Sequence, residues 1–385
     1  MGINFEFTTA SKIIFGNNSF EKVPDIILSF GKNVLLVTGK NMQCAELLSE
    51  KIKQKNGNVV TFIVETEPTT NIIEEAVNIA RAENCNVVAG LGGGSAIDSA
   101  KAIAAMVPNK GSIFDFLEVI GLGKPLIETP LPFIAIPTTA GTGAEVTKNS
   151  VIKSNKHKVK VSLRNDKMYP NVAVVDPVLT YTMPPPLTAI TGMDALTHLL
   201  ETFVSNQSNP FIDVICREGM RRISASLLNA FKNGNNLEAR EDMAMAGMFG
   251  GIALANVKLG AVHGFAGPMG GMYPISHGEI CASLLAAVLE VNIAAVKKQN
   301  NLGALEKFGE IARLFSGNIN ATPEDGIESI KNLVNELNIP RLAALGLSPS
   351  NFPELVANAK NSSSMKGNPV ALSDDELYSI LEKSL

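Results

Sequence analysis

The residues best suited to chemistry in this sequence are an aspartate and three histidines in its second half. Asp194 and His198 are four residues apart in GMDALTHLL, so in a helix they share one face, about 40° apart. His263 and His277 flank GFAGPMGGMYPIS, a glycine- and proline-rich break that can fold two helix ends toward one point. Three neutral imidazoles and one carboxylate suit Fe²⁺ or Zn²⁺. The spacing therefore predicts a divalent metal site at these four residues.

Each of these residues alone also has an ordinary structural explanation. A single buried aspartate is usually paired with a neighbour, and a single buried histidine is more often a hydrogen-bonded core residue than a ligand. The chain has four histidines, however, and three of them fall in this group, which favours the joint metal site. Glu201 and Glu279 could be partners of the ligands or exposed acids, and we expect exposed acids.

The order of secondary-structure patterns predicts two different halves. Short β-branched runs alternate with helical patterns in the first half, which predicts a mostly parallel sheet covered on both faces. The second half carries helical patterns without strand signals. Pro184, Pro185 and Pro186 suit a junction followed by a helix start. We therefore predict an α/β domain over residues 1–184 and an all-helical domain over residues 185–385.

Two loops at the ends of predicted strands could bind phosphate. GLGGGSAIDSAK passes from a strand into a helix through Gly93, Gly94 and Ser95, where close backbone approach and free amides favour an anion. A plain tight turn is the alternative. IPTTAGTGAEVT follows another strand and brings Thr138 and Thr142 together with glycines; a polar turn without a ligand is the alternative. Together, the two loops favour a nucleotide site.

The first strand-to-helix turn bears on which nucleotide is bound. An acid there would bind the ribose hydroxyls of NAD and repel the 2′-phosphate of NADP. This chain instead has Gly39, Lys40 and Asn41, which leave room and a positive charge for that phosphate. Lys40 could equally be an ordinary solvated lysine.

Charge and cysteine usage exclude some classes of protein. The net charge of -4 argues against binding to nucleic acid or to an anionic membrane. The four cysteines are far apart in sequence, which is typical of a reduced, cytoplasmic protein and not of a disulfide framework. The N-terminus carries no recognisable secretory signal. We expect a cytoplasmic protein.

Five motifs together resemble a known family. GGGSAIDSAK, PTTAGTGAEVT, VVDPVL, GMDALTHLLETFVS and AVHGFAGPMGGMYPISHGE resemble, in order and spacing, the iron-containing (group III) alcohol dehydrogenases. The resemblance extends over nearly the whole chain. It implies a Rossmann-like α/β domain followed by an all-α domain, the two-domain architecture shared with dehydroquinate synthase. It also implies hydride transfer between a small alcohol or aldehyde and NAD or NADP, and a homodimer.

The resemblance also implies roles for individual residues. By position, the metal ligands are Asp194, His198, His263 and His277, and the ion is Fe²⁺ or Zn²⁺. The residues similar to cofactor contacts of the family are Gly39, Gly93, Gly94, Ser95, Thr138, Thr139, Thr142, Lys160 and Leu179.

The chain departs from the family pattern at two positions, Gly39 and Gly267. Many members have an acid in place of Gly39, so NADP is an alternative to NAD. Many have a histidine in place of Gly267 that is a candidate proton relay, so the resemblance does not identify the group that relays the proton here. Two other functions are alternatives: a glycerol dehydrogenase- or dehydroquinate synthase-like metalloenzyme of the same fold, and a nucleotide- or metal-binding protein without turnover.

Overall fold

The computed structural model describes residues 4–157 and 159–385. The chain separates into two compact units. One unit comprises residues 8–181, and the other comprises residues 4–7 together with residues 182–385. Each unit is described by itself below.

The unit of residues 8–181 is built on a six-stranded parallel sheet, in which the first strand in sequence, β1 (Ile13–Phe15), lies at one edge and the third, β3 (Asn58–Ile63), lies at the other. Its strands are β1 (Ile13–Phe15), β2 (Asn33–Thr38), β3 (Asn58–Ile63), β4 (Val87–Gly92), β5 (Phe133–Pro137) and β8 (Val172–Val175). The strand order across the sheet is β1-β8-β5-β4-β2-β3. The helices of this unit are α1 (Val23–Phe30), α2 (Gln43–Gln54), α3 (Thr70–Ala82) and α4 (Gly94–Met106). A separate antiparallel hairpin comprises β6 (Asn149–Ser154) and β7 (Val159–Arg164).

Alternation along β2 shows why this sheet is covered on both faces. Leu35 and Val37 join the apolar cluster that includes residues of α3 and α4. Val34 and Leu36 join the opposite cluster, which includes residues of α1 and α2. Because successive side chains of a strand point to opposite faces, a strand with apolar residues at four successive positions, residues 34–37, requires helices on both sides. The predicted parallel sheet is confirmed.

The described residues of the second unit form helices joined by loops and contain no β-strand. Its helices are α5 (Pro185–Val204), α6 (Pro210–Lys232), α7 (Leu237–Asn256), α8 (Ala261–Met272), α9 (His277–Lys298), α10 (Leu302–Ser316), α11 (Pro323–Glu336), α12 (Phe352–Asn361) and α13 (Asp374–Ser384). The predicted start of α5 after Pro184 follows from proline at its first turn, where the missing N–H costs no hydrogen bond. Ser373 and Glu376 form a capping box at the start of α13.

One helix lies in a stretch that the sequence predicts as a break. α8 contains His263 and continues through Pro268 to Met272, although proline removes a backbone donor from a helix interior. Glycine, alanine and methionine let this helix pack closely against α9 and α12. The chain break that turns it toward α9 is confined to residues 273–276.

Two stretches of the described residues are apolar enough to be tested as membrane spans. α9 qualifies by length and composition, and 72% of its most apolar stretch is buried inside the protein, as in a core helix. α7 and α8 qualify together, but they meet at an angle of 95°.

Candidate active site

Helix α5 presents Asp194 and His198 to the interior of the helical unit. The two side chains are one turn apart, and both are almost completely buried. His198 Nε2 lies 3.8 Å from Asp194 Oδ1. The flanking apolar residues of α5 pack against α6, α7 and α9, so the polar pair lies on a helix that is buried on nearly every side.

Helices α8 and α9 bring the other two histidines to the same point. His263 lies on the first turn of α8, and His277 is the first residue of α9. Their Nε2 atoms each lie 3.7 Å from Asp194 Oδ1. One potential ligand atom from each of Asp194, His198, His263 and His277 lies within 4.8 Å of the other three. The structure therefore brings together all four residues predicted as a metal site.

One oxygen of the carboxylate at the centre of this group, Asp194 Oδ1, has no ordinary hydrogen bond. Asp194 Oδ1 is buried, and no donor among the described residues lies within hydrogen-bonding distance of it. Burial by itself raises the pKa of the Asp194 carboxyl, but His198, His263 and His277 outweigh burial and hold this pKa well below its usual range. A buried, ionised oxygen surrounded by imidazole nitrogens is strongly destabilising unless it binds a cation. The donor set fits a divalent metal ion.

Glu201, one turn after His198 on α5, fixes the orientation of a second histidine. Its Oε2 atom lies 2.7 Å from His263 Nδ1, and its Oε1 atom accepts a hydrogen bond of 2.6 Å from the backbone N–H of Val262. A carboxylate at Nδ1 keeps the proton on that nitrogen, so the lone pair of Nε2 faces the group. The expectation that Glu201 is exposed is wrong, because it is buried. Its i+3 position relative to His198 was the available sequence signal.

The glycine loop after β4 and the threonine loop after β5 lie side by side in the other unit. β4 and β5 are neighbours in the sheet, and the N–H of Thr138 donates to Gly92 O at 2.9 Å. A Cβ atom added to Gly94 would lie 2.8 Å from Thr142 Cγ2, and one added to Gly93 would lie 3.3 Å from Thr139 Cγ2. Glycine is therefore required where the two loops touch, at the N-terminus of α4.

Lys101 on α4 holds the continuation of the threonine loop. Its buried ammonium donates to Ala144 O, Thr147 Oγ1 and Asn149 O at 2.7–2.8 Å. It also lies 3.6 Å from Asp98. Ala144 and Thr147 lie at the end of the threonine loop and Asn149 follows it, so α4 carries both the glycine loop and the side chain that holds the second loop in place. No sequence motif singled out Lys101.

The remaining predicted cofactor residues take different positions in this unit. Gly39 directly follows β2, next to β4 in the sheet, and a Cβ atom there would meet nothing within 4 Å. Ser95 lies on the first turn of α4. Lys160 lies on β7 and forms an ion pair with Glu67. Leu179 lies on a 3₁₀ turn after β8, packed against the apolar cluster beneath α1 and α2.

The strand order places Gly39 and the glycine loop at the carboxyl ends of two neighbouring strands, β2 and β4, whose following connections lead in opposite directions. The connection after β2 leads to β3 on one side, and the connection after β4 leads to β5 on the other. A crevice opens at the carboxyl ends of such strands, and open α/β sheets bind ligands there. The fold and the two loops are typical of a dinucleotide-binding domain, and this unit precedes in sequence the helical unit with the candidate metal site.

Comparison with known proteins gives the same class. The sequence model described as "Iron-containing alcohol dehydrogenase" matches residues 10–177, and that of the "Fe-containing alcohol dehydrogenase family, C-terminal" matches residues 188–385. "Alcohol dehydrogenase 4" of Saccharomyces cerevisiae is 35% identical, with 96% of each chain covered. "NAD-dependent methanol dehydrogenase" of Bacillus methanolicus is 32% identical, covering 99% of this chain and 100% of the relative.

A solved structure agrees with these relatives. The structure described as "1,3-propanediol oxidoreductase" superposes with a TM-score of 0.91 at 31% identity, and all of each chain is covered. The chain belongs to the iron-containing alcohol dehydrogenase family. It is an oxidoreductase that acts on alcohols. The family match favours this function over the two alternatives raised by the sequence.

Proposed function

We propose that Asp194, His198, His263 and His277 bind one catalytic divalent ion, Fe²⁺ or Zn²⁺, and that the protein interconverts a small alcohol and its aldehyde with NAD or NADP. The observation that carries the proposal is the buried Asp194 Oδ1, which lies within 3.8 Å of three imidazole Nε2 atoms. Carboxylate and imidazole groups at such spacing match the ligand chemistry of these ions.

The residues of the metal site have two kinds of role: they supply negative charge, and they orient the histidine ligands. When bound, the ion supplies Lewis acidity toward the substrate oxygen, and the nicotinamide accepts or donates the hydride. Asp194 contributes the negative charge of the ligand set. Glu201, at His263 Nδ1, would hold this ring in the tautomer whose Nε2 lone pair is available to the ion. His277 is more exposed than the other three, with 38% of its side chain accessible, so it marks the side from which a substrate approaches.

The glycine and threonine loops are proposed to hold the dinucleotide. The N-terminus of α4, with the backbone of Gly93 and Gly94 and the hydroxyl of Ser95, suits the pyrophosphate. Thr138, Thr139 and Thr142 lie against this loop and offer hydroxyl donors. Gly39 is assigned to the adenosine ribose, where the open space beside it accommodates either a hydroxyl or a phosphate.

The outlying cofactor residues are proposed to act at the ribose and adenine. Lys160 is assigned to a ribose and Leu179 to the adenine side, as the resemblance implies. Lys160 is paired with Glu67, so an approaching ribose hydroxyl would share the lysine with this acid.

We also propose that the enzyme is a cytoplasmic homodimer. The separated cysteines support the location, and the family resemblance supports the dimer.

Two experiments test the proposal. The first is metal analysis of anaerobically purified protein, and the second is a screen of alcohols and aldehydes with NAD(H) and NADP(H). We expect one ion per chain and turnover with at least one cofactor. Replacing His263 or His277 by alanine should abolish both metal retention and turnover. His157→Ala is the matched control, because this fourth histidine is exposed and lies in the other unit. Full metal content and activity in His263→Ala would contradict the assignment.

A further inference from the structure

The first amides of α8 are held by side chains from distant parts of the chain. The opening N–H groups of a helix have no acceptor within that helix, and Gly260, which precedes α8, has no side chain to supply one. The N–H of Ala261 donates to Asn368 Oδ1 at 3.1 Å, and the next two N–H groups donate to the carboxylate of Glu201. Asn368 therefore accepts the first of three successive amides, the last of which belongs to the predicted ligand His263.

The partners of Asn368 allow its side-chain amide one orientation. Its Oδ1 atom accepts from the N–H of Ala261, which can only donate, and its Nδ2 atom donates to Val370 O at 2.8 Å, which can only accept. Asn292 on α9 completes the network, because its Nδ2 donates to Asn368 Oδ1 at 3.1 Å and its Oδ1 accepts from Asn368 Nδ2 at 2.7 Å. Both asparagines are 3% exposed. Loss of one partner would leave a buried polar group unsatisfied, so the network holds Asn368 firmly.

The backbone around Asn368 is bound to the same region of the helical unit. Asn206, just after α5, donates from Nδ2 to Asn368 O at 2.9 Å and from its backbone N–H to Gly367 O at 3.1 Å. A Cβ atom on Gly367 would overlap the carbonyl oxygens of Lys258 and Leu259, which precede α8. The chain around Asn368 therefore connects the end of α5 with the start of α8, and these two helices carry three of the four predicted ligands.

We propose that Asn368 is a positioning residue for the metal site, and that its amide oxygen fixes the start of α8 and thereby the position of His263. This inference rests on the proposed metal site. Glu201 contacts the ring of His263 directly, whereas Asn368 acts through the backbone from which that ring projects. A metal ligand must be held to within about 0.5 Å of its productive position. Release of this turn should therefore weaken metal binding about tenfold, as for other groups around metal sites.

Replacement of Asn368 by alanine tests the inference, with Asn292→Ala as the matched control. Both variants remove an equally buried amide from one network, but Asn292→Ala leaves the hydrogen bond between Ala261 and Asn368 in place. We expect both variants to unfold at a lower temperature than the wild type. Asn368→Ala alone should lose about tenfold in affinity for Zn²⁺, measured by competition with a chromophoric chelator. It should also change the visible absorption of bound Co²⁺, which reports the geometry of the ligands.

Hydrogen exchange of the wild type provides a test that needs no folded variant. The amide of Ala261 should exchange slowly in a residue-resolved measurement, because its acceptor is a buried side chain. Exchange of this amide as fast as in an unfolded chain would overturn the inference.

The outcomes separate this inference from the metal site on which it rests. If the wild type binds metal and Asn368→Ala keeps the same affinity and Co²⁺ spectrum, the role of Asn368 is overturned and the four-residue site remains. Equal losses of metal affinity in the two asparagine variants would trace the effect to the stability of the unit, and this result also overturns the role. A wild type that binds neither Zn²⁺ nor Co²⁺ overturns both proposals.

Discussion

His263 Nδ1 lies 2.7 Å from Glu201 Oε2, and both groups are buried within the helical unit. The same carboxylate also accepts the backbone N–H of Val262, so it fixes both the ring of His263 and the start of α8. The orientation of one predicted metal ligand therefore depends on a residue of another helix.

Replacement of Glu201 by glutamine should weaken metal binding. The amide cannot hold the Nδ1 proton as strongly as the carboxylate does, so the tautomer and the orientation of His263 become less fixed. We expect a loss of metal affinity of about 10- to 100-fold, measured by competition with a chromophoric chelator. Glu279→Gln is the control, since this acid belongs to the capping box of α9, which also accepts glutamine. Equal metal affinities in the two variants would show that Glu201 has no such role.

Replacement of Gly39 by aspartate should shift cofactor preference toward NAD. The space beside Gly39 is open, so the new carboxylate fits, and its charge repels a 2′-phosphate. We expect kcat/KM with NADP to fall at least about tenfold, or about 1.4 kcal/mol, with a smaller change for NAD. Gly39→Asn is the uncharged control of matched size. If Gly39→Asp leaves the ratio of kcat/KM with NADP to kcat/KM with NAD unchanged, the adenosine ribose binds elsewhere.

Replacement of Gly94 by alanine should weaken cofactor binding through the threonine loop. The new Cβ atom would lie 2.8 Å from Thr142 Cγ2, so one of the two loops must move. A displacement of this kind can raise the KM for the cofactor about 10- to 100-fold. Thr142→Ser removes the opposing methyl group, so the double variant Gly94→Ala/Thr142→Ser should recover part of the loss. Cofactor titration followed by fluorescence measures both, and a double variant no better than Gly94→Ala would argue against the contact.

Glu145 should make the stability of the α/β unit depend on pH. Burial raises the pKa of its carboxyl from 4.5 to about 7. Between these values the folded protein binds more protons than the unfolded chain, so the contribution of this group to stability is fully present below pH 4.5 and is lost as the pH rises through 7. The loss amounts to about 3 kcal/mol at most.

Replacement of Glu145 by glutamine removes this titration. The variant should therefore lose less stability than the wild type between pH 5 and pH 8, measured as the difference in unfolding temperature at the two values. Glu75→Gln on α3 is the control, because Glu75 is exposed in the same unit. A pH dependence in Glu145→Gln identical to that of the wild type would show that the carboxyl titrates normally.

The sequence by itself determined the class of fold and the composition of the candidate metal site. Apolar β-branched strands with intervening helices specify a sheet that is covered on both faces, because a strand without a polar side cannot face water. The i, i+4 spacing of Asp194 and His198 sets their relative position through helix geometry alone. These features are local, so periodicity and residue type are enough to predict them.

Contacts between residues distant in sequence were decided by the tertiary structure. The sequence predicts a break across the stretch that forms α8, since the packing of a glycine- and proline-rich helix against α9 and α12 is not visible in a local pattern. Glu201 and Lys101 are charged side chains that a local reading assigns to solvent. Glu201 is buried against His263, which is 62 residues away in sequence. Lys101 is buried against the carbonyls of Ala144 and Asn149, which are 43 and 48 residues away. Chain folding alone brings them together.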